Sequence, residues 1–137
     1  MSQRLWRSAG LVAGAPALAG VFVLGVHALA GDRQLEVFAL FLALTACVYG
    51  GAALSPAGTG YGPVELPVVV AVFGASVAGL LASPLWVAVG YFAHGGWDLL
   101  HHLRVVRTPV VRAFPSICGI FDAAVGASVL WWWVGLG

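Results

Sequence analysis

Five apolar runs alternate with short breaks that are polar or rich in glycine and proline. The runs cover residues 11–30, 35–54, 64–82, 85–103 and 114–134. Each is close to the about 20 residues with which a helix crosses about 30 Å of hydrocarbon. Gly31-Asp32-Arg33-Gln34 reads as a tight polar turn, with Asp32 placed to cap the second helix. Ser83-Pro84 is tighter still, with Ser83 as N-cap and Pro84 at the first helical position. Residues 55–63 carry several Gly and Pro breakers and predict an irregular loop, and residues 104–113 form the most basic connection. Connections this short predict that sequential helices are neighbours. The expected fold is all-α: a single membrane domain, an integral bundle of five transmembrane helices.

Composition points the same way. Of 137 residues, 61% are hydrophobic and 8% charged, against about 25% charged in a soluble domain. So few charges leave too little polar side chain to cover a water-facing surface. The net charge of +1 and the absence of lysine give no basic patch of the kind that nucleic acid requires. Cys47 and Cys118 both lie in apolar runs, so no disulfide framework is expected, and both read as core residues, Cys47 above all. Nineteen glycines suit close helix packing in a membrane.

Arginine placement predicts orientation. Arg4 and Arg7 precede the first helix, and Arg104, Arg107 and Arg112 lie between the fourth and fifth. Both regions fall on one side of a five-span bundle, which the positive-inside rule makes cytoplasmic. The expected placement is therefore multi-pass in the inner (plasma) membrane, with the N-terminus inside and the C-terminus outside. Trp131-Trp132-Trp133 then forms an interfacial aromatic belt, a sugar or lipid platform being the alternative. Arg4, Arg7 and the apolar run ending in Ala28-Leu29-Ala30 also have the outline of a secretory signal. The run is longer and more interrupted than a signal core, so it is read as an uncleaved helix.

Against this background the segment His94-Gly95-Gly96-Trp97-Asp98-Leu99-Leu100-His101-His102 stands out. On a helix, His94, Asp98, His101 and His102 fall at about 0°, 40°, −20° and 80° around the axis, one face about 100° wide. Counting from the cytoplasmic end at about 1.5 Å per residue, Asp98 lies about 6 Å and His94 about 12 Å deeper than His102. Asp122, eight residues into the fifth helix, reaches the depth of His94, and Glu65 opens the third helix near the level of His101 and His102. Six ionisable groups from three helices thus share one half of the membrane. Glu36 and His27 fall on the other side.

Ionisable groups inside a membrane are costly, face the protein interior and are functional candidates. His94, Asp98, His101, His102 and Asp122 form a metal-ligand pool, since imidazole and carboxylate suit zinc or non-haem iron. Glu65, Asp98 and Asp122 are the candidate catalytic carboxylates, with Glu65 as general base or further ligand. The structural alternative is a polar network that only orders helix packing. Cys118 sits one turn before Asp122 and is a core residue or a ligand; Trp97, beside the polar face, reads as packing. Gly95-Gly96 permits close helix approach or a kink, and Gly50-Gly51 and the Gly58–Gly62 loop could bring backbone to the same pocket.

These residues carry a resemblance. His94-x-Gly96-Trp97-Asp98-x-x-His101-His102, Phe114-Pro115 and Cys118-x-Ile120-x-Asp122 resemble an uncharacterised family of small bacterial integral membrane proteins, strongest over residues 90–132. That family often has a further Cys beside its second Asp, where this chain has Phe121, which weakens a cysteine-based site. The family implies no reaction. Asp98-x-x-His101-His102 is also similar to the histidine boxes of membrane desaturases and hydroxylases, which use more histidines than the four present here. The His/Asp mixture looks like that of the alkaline ceramidase group of membrane zinc hydrolases, without its spacing.

The function expected is that of a metal-dependent membrane hydrolase, zinc preferred, acting on a lipid or other apolar substrate. The alternatives are non-haem iron oxidation, a haem-binding subunit with His94 and His101 as axial ligands, and a transporter. A transporter's ionisable groups would reach both faces, whereas these cluster in one half. Five short helices make a thin shell around a site, so either a homo-oligomer or a partner protein is a further expectation.

Overall fold

The computed structural model describes the backbone of residues 2–135; the side chains of residues 2–9, 11, 32, 134 and 135 lie outside that description. Five helices follow one another: α1 Ser2–His27, α2 Gly31–Leu54, α3 Gly62–Leu81, α4 Leu85–His102 and α5 Phe114–Leu130. A 3-10 turn, Pro56–Gly58, joins α2 to α3, and a wide π-type turn over Trp131–Gly135 extends α5. No strand occurs among the described residues, so the fold is all-α. Every sequential pair of helices packs together, and α5 returns to α1, closing a ring. The α4–α5 contact is the most extensive, and α4 also touches α2 across the ring.

Among the described residues, three helical segments are long and apolar enough to cross a membrane: Arg33–Leu54, Gly62–Leu81 and Phe114–Trp133. Within the described side chains, α1 contributes the apolar segment Val12–His27. α4 has 18 residues, and four of them are His94, Asp98, His101 and His102, which lower its hydropathy. The polarity of the ring is inverted relative to a water-soluble bundle. Leu81 is 81% exposed and Val21 71%, while Glu65, Asp98 and Asp122 are 0% exposed. Apolar surface outside and ionisable groups inside is the arrangement that lipid favours and water does not. Hydroxyls within the helices bond back to their own turns: Thr45 to Leu42 O, Ser76 to Val72 O and Ser128 to Val125 O.

The core is formed by small and aromatic side chains. Phe22 of α1 packs on Phe38 and Phe41 of α2 and on Phe121 of α5. Tyr91 of α4 is fully buried and donates its hydroxyl to Phe38 O at 2.9 Å, tying α4 to α2 across the ring. Close approach of α3 and α4 depends on Gly79: a Cβ there would lie 2.2 Å from Val87 Cγ2.

Several local expectations are revised. α2 begins at Gly31, so Arg33 and Gln34 belong to its first turn and not to a separate polar turn. Gln34 is buried, and its amide nitrogen donates to His27 O and Leu29 O, closing the end of α1. Ala30, not Asp32, is the N-cap residue of α2, because the helix already includes Asp32 in its first turn; the cytoplasmic signal of Arg4 and Arg7 falls on side chains outside the described residues. Ser83 Oγ does accept from Leu85 N at 3.3 Å, although Pro84 precedes the helix instead of opening it. Cys47 is exposed, not core: Ala46 takes the inward position, and one residue along a helix turns a side chain by about 100°. Trp131 and Trp132 are exposed as expected of a belt, whereas the wide final turn brings Trp133 against Phe38, edge to face at 6.0 Å.

Gly79→Ala is expected to destabilise the protein by about 1–3 kcal/mol, because stiff Val87 must move in a filled site. Gly74→Ala on the same helix meets nothing within 4 Å and should be neutral or slightly stabilising. Thermal unfolding of both variants in detergent checks the pair.

Candidate functional site

α4 carries His94, Asp98 and His101 on one face, and all three are buried against the ring interior. His102 lies at the edge of that face and is exposed, with Nδ1 2.8 Å from Ser116 Oγ. α5 brings Asp122 to the same level. Gly95 and Gly119 face each other where the two helices meet. A Cβ on Gly119 would lie 3.3 Å from Asp98 Cβ, and one on Gly95 would lie 3.4 Å from Asp122 Cβ. The missing side chains let two acidic helix faces close on one point. Gly96, by contrast, faces open space.

His94, Asp98 and Asp122 each offer one ligating atom, and these atoms lie within 4.8 Å of one another. His94 Nδ1 donates to Asp122 Oδ2 at 2.6 Å and stands 3.5 Å from Asp98 Oδ2. Tyr49 of α2 donates its hydroxyl to Asp98 Oδ1 at 2.5 Å. One atom of each member is left buried with no hydrogen-bond partner: His94 Nε2, Asp98 Oδ2 and Asp122 Oδ1. Buried polar atoms are nearly always paired, so three orphans in one cluster call for an explanation.

A second group adjoins the first. Glu65 lies in the first turn of α3, where the helix dipole favours a carboxylate. It accepts from Trp97 Nε1 at 2.9 Å and from the Thr108 hydroxyl, and His101 Nε2 is 2.8 Å from its Oε1. His101 Nδ1 donates to Trp97 O at 3.0 Å, which commits that nitrogen to carrying a hydrogen. The Nε2–Oε1 contact therefore holds a single proton between His101 and Glu65. Tyr49 joins the two groups: its ring stacks on His101 with centroids 4.1 Å apart, while its hydroxyl holds Asp98. Tyr49, Glu65, His94 and Trp97 pack closely where α2, α3 and α4 meet.

Five of the six expected residues thus gather in two linked clusters, and His102 stays outside them. Cys118 is buried and free beside this region. His27 and Glu36 lie elsewhere, on Gln34 and Arg33 respectively. Spacing along the chain does not single out Tyr49, Thr108 or Ser116, and it gives Trp97 a packing role only, whereas here Trp97 donates to Glu65. Tyr49 had a signal: a residue with a polar tip inside an apolar run, near the cytoplasmic end expected for the second helix. Thr108 had none, because its position depends on how residues 103–113 fold back.

Residues 11–136 match a family of unknown function (DUF6010), and the chain belongs to that family. No curated protein and no solved structure matches it.

Removing the acceptor at Glu65 tests the second cluster. Glu65→Ala leaves up to three buried donors unpaired, at about 1–3 kcal/mol each. Glu65→Gln keeps the shape and one acceptor, so its loss in thermal unfolding should be clearly smaller. Equal losses would mean that these contacts do not hold Glu65 in place.

Proposed function

We propose that this chain is a metal-dependent membrane enzyme, a hydrolase acting on a lipid or other apolar substrate. His94, Asp98 and Asp122 hold the metal, with the Glu65–His101 pair beside them. In this reading all five helices cross the inner membrane, with the N-terminus and residues 103–113 on the cytoplasmic side. α1 and α4 cross with the other three because each packs against neighbours in the closed ring.

The observation that carries the reading is the convergence of three ligating atoms within 4.8 Å, with a buried unpaired oxygen on each aspartate. Donors that share one zinc at about 2.2 Å lie up to about 4.4 Å apart, a spacing that this set approaches. A cation would satisfy the orphaned oxygens and neutralise two carboxylates held in a dry interior. An imidazole–carboxylate set without thiolate fits zinc first and non-haem iron second. When bound, such a metal supplies Lewis-acid polarisation of a carbonyl or phosphoryl oxygen.

The remaining roles belong to the chain itself. Tyr49 orients Asp98 through its hydroxyl, as outer partners orient ligands in metal sites. The proton shared by His101 Nε2 and Glu65 Oε1 is held next to the cluster, where it can be given up or taken. Thr108 and Trp97 keep Glu65 pointing at His101. Burial of Tyr49, Glu65, His94, Asp98, His101 and Asp122 strengthens each charge interaction among them.

One distance favours a second reading. His94 Nδ1 already lies 2.6 Å from Asp122 Oδ2, so the three residues could form a metal-free charge network that orders α4 on α5.

Metal analysis by mass spectrometry on protein purified in detergent without chelator separates the two. The expected result is about one zinc per chain in wild type and His102→Ala, and nearly none in Asp98→Asn and Asp122→Asn. Iron in the same pattern would redirect the chemistry to oxidation. No metal in any sample would leave the charge network as the role of the cluster. Orientation is tested with Arg107→Cys in a Cys47→Ser, Cys118→Ser background. An impermeant thiol reagent should label it only after cells are broken; labelling of intact cells would reverse the topology.

A further inference from the structure

A cavity of about 930 Å³ lies where α4, residues 103–113 and the start of α5 meet. Arg104, Arg107 and Arg112 all line it, together with His102, Thr108 and Ser116. These are three of the six arginines in the chain. Among the described residues, none of the three is paired with a carboxylate. Unpaired arginines around one hollow are an anion-binding arrangement, because the guanidinium fork matches phosphate oxygens.

Three features separate this hollow from a merely basic membrane-facing loop. First, the arginines surround a concave space that also receives Ala113 and Ser116 at the N-terminal end of α5, where the helix dipole is positive. Second, Arg104 has φ 58°, in the left-handed region. It ends α4 in a turn where Arg104 N donates to His101 O and Val105 N to Leu100 O. Glycine is the usual residue there, and arginine carries a steric penalty. A strained arginine on a cavity wall is the kind of outlier that points to function. Third, the cavity reaches the site: His101 and Thr108 line it, and both contact Glu65.

We propose that this cavity binds a phosphate-bearing anion, with Arg104, Arg107 and Arg112 as its cationic partners. Arg107 Nε is engaged with Arg104 O at 3.2 Å, which leaves its terminal nitrogens for the anion. The other walls are apolar, formed by Val106, Val110, Val111 and Val12 of α1. A phosphate joined to an apolar chain meets both kinds of wall. That the anion is part of the substrate rests on the enzyme reading above; its binding does not.

The test is a titration of the full chain, in discs of phosphatidylcholine, with inorganic phosphate and with a soluble short-chain phosphatidic acid. Short-chain phosphatidylcholine serves as the control. Wild type is expected to bind the phosphate monoester, and Arg107→Gln and Arg112→Gln are each expected to lower its affinity about five- to tenfold. Tighter binding of phosphatidic acid than of phosphate, by tenfold or more, supports the proposal with a lipid head group as the anion. Equal binding of the two supports it with free phosphate. Arg33→Gln, at the Glu36 pair, should change nothing. Arg104→Gly should raise the thermal midpoint while weakening binding, and a role in folding alone would not separate those effects. Asp98→Asn should keep its affinity for phosphate, so loss of metal and loss of anion binding are read independently. The proposal is overturned if neither phosphate compound binds above the control, or if the arginine variants bind as wild type does.

Discussion

Three carboxylates, Glu65, Asp98 and Asp122, are fully buried in a ring whose outer surface is apolar. Everything else in this molecule follows from the need to keep them there. A carboxylate in a low-dielectric interior is held only by donors, opposite charge or a metal. Glu65 has three such contacts, from Trp97, His101 and Thr108, drawn from α4 and the connection to α5. Asp98 and Asp122 have fewer, and each retains a buried oxygen without a partner. The difference sets the two clusters apart. The Glu65 cluster is a completed hydrogen-bond network, whereas the two aspartates of the other cluster have acceptor capacity to spare.

Helix packing is subordinated to this arrangement. α4 sacrifices apolar character to carry the histidines and Asp98, and it is compensated by contacts on several sides, from α3, α5 and α2. The Gly95–Gly119 approach removes the side chains that would hold the acidic faces of α4 and α5 apart. Tyr49 crosses from α2 to close the third side, with its ring on His101 and its hydroxyl on Asp98. The cavity lies at the end of this same column. An anion bound by the arginines would stand on the wall formed by His101 and Thr108, both of which contact Glu65.

The polar face of α4 was legible because helix geometry is local. Spacing of four and seven residues places His94, Asp98 and His101 together whatever else the chain does, and it leaves His102 at the margin. Asp122 and Glu65, expected near the levels of His94 and His101, do both lie against α4, on His94 and on His101 respectively. The same reasoning overlooked Tyr49, because it weighed only groups that carry charge or ligate metals. It misjudged Cys47, because an apolar run that looks uniform in sequence has an inner and an outer face in the ring.

By itself, the sequence determined the all-α class, the inverted polarity and the membership of one helical face, all consequences of composition and of a fixed turn of about 100° per residue. Tertiary structure alone decided which of those groups meet. The division of six candidates into a His94/Asp98/Asp122 cluster, a Glu65/His101 pair and an outlying His102 depends on how far α4 and α5 approach at Gly95 and Gly119. The return of Thr108 onto Glu65 and the hollow between the arginines depend on an irregular connection with no periodicity to read. Distances across helices are set by side-chain volume at their contacts, and that is a property of pairs of residues far apart in the chain.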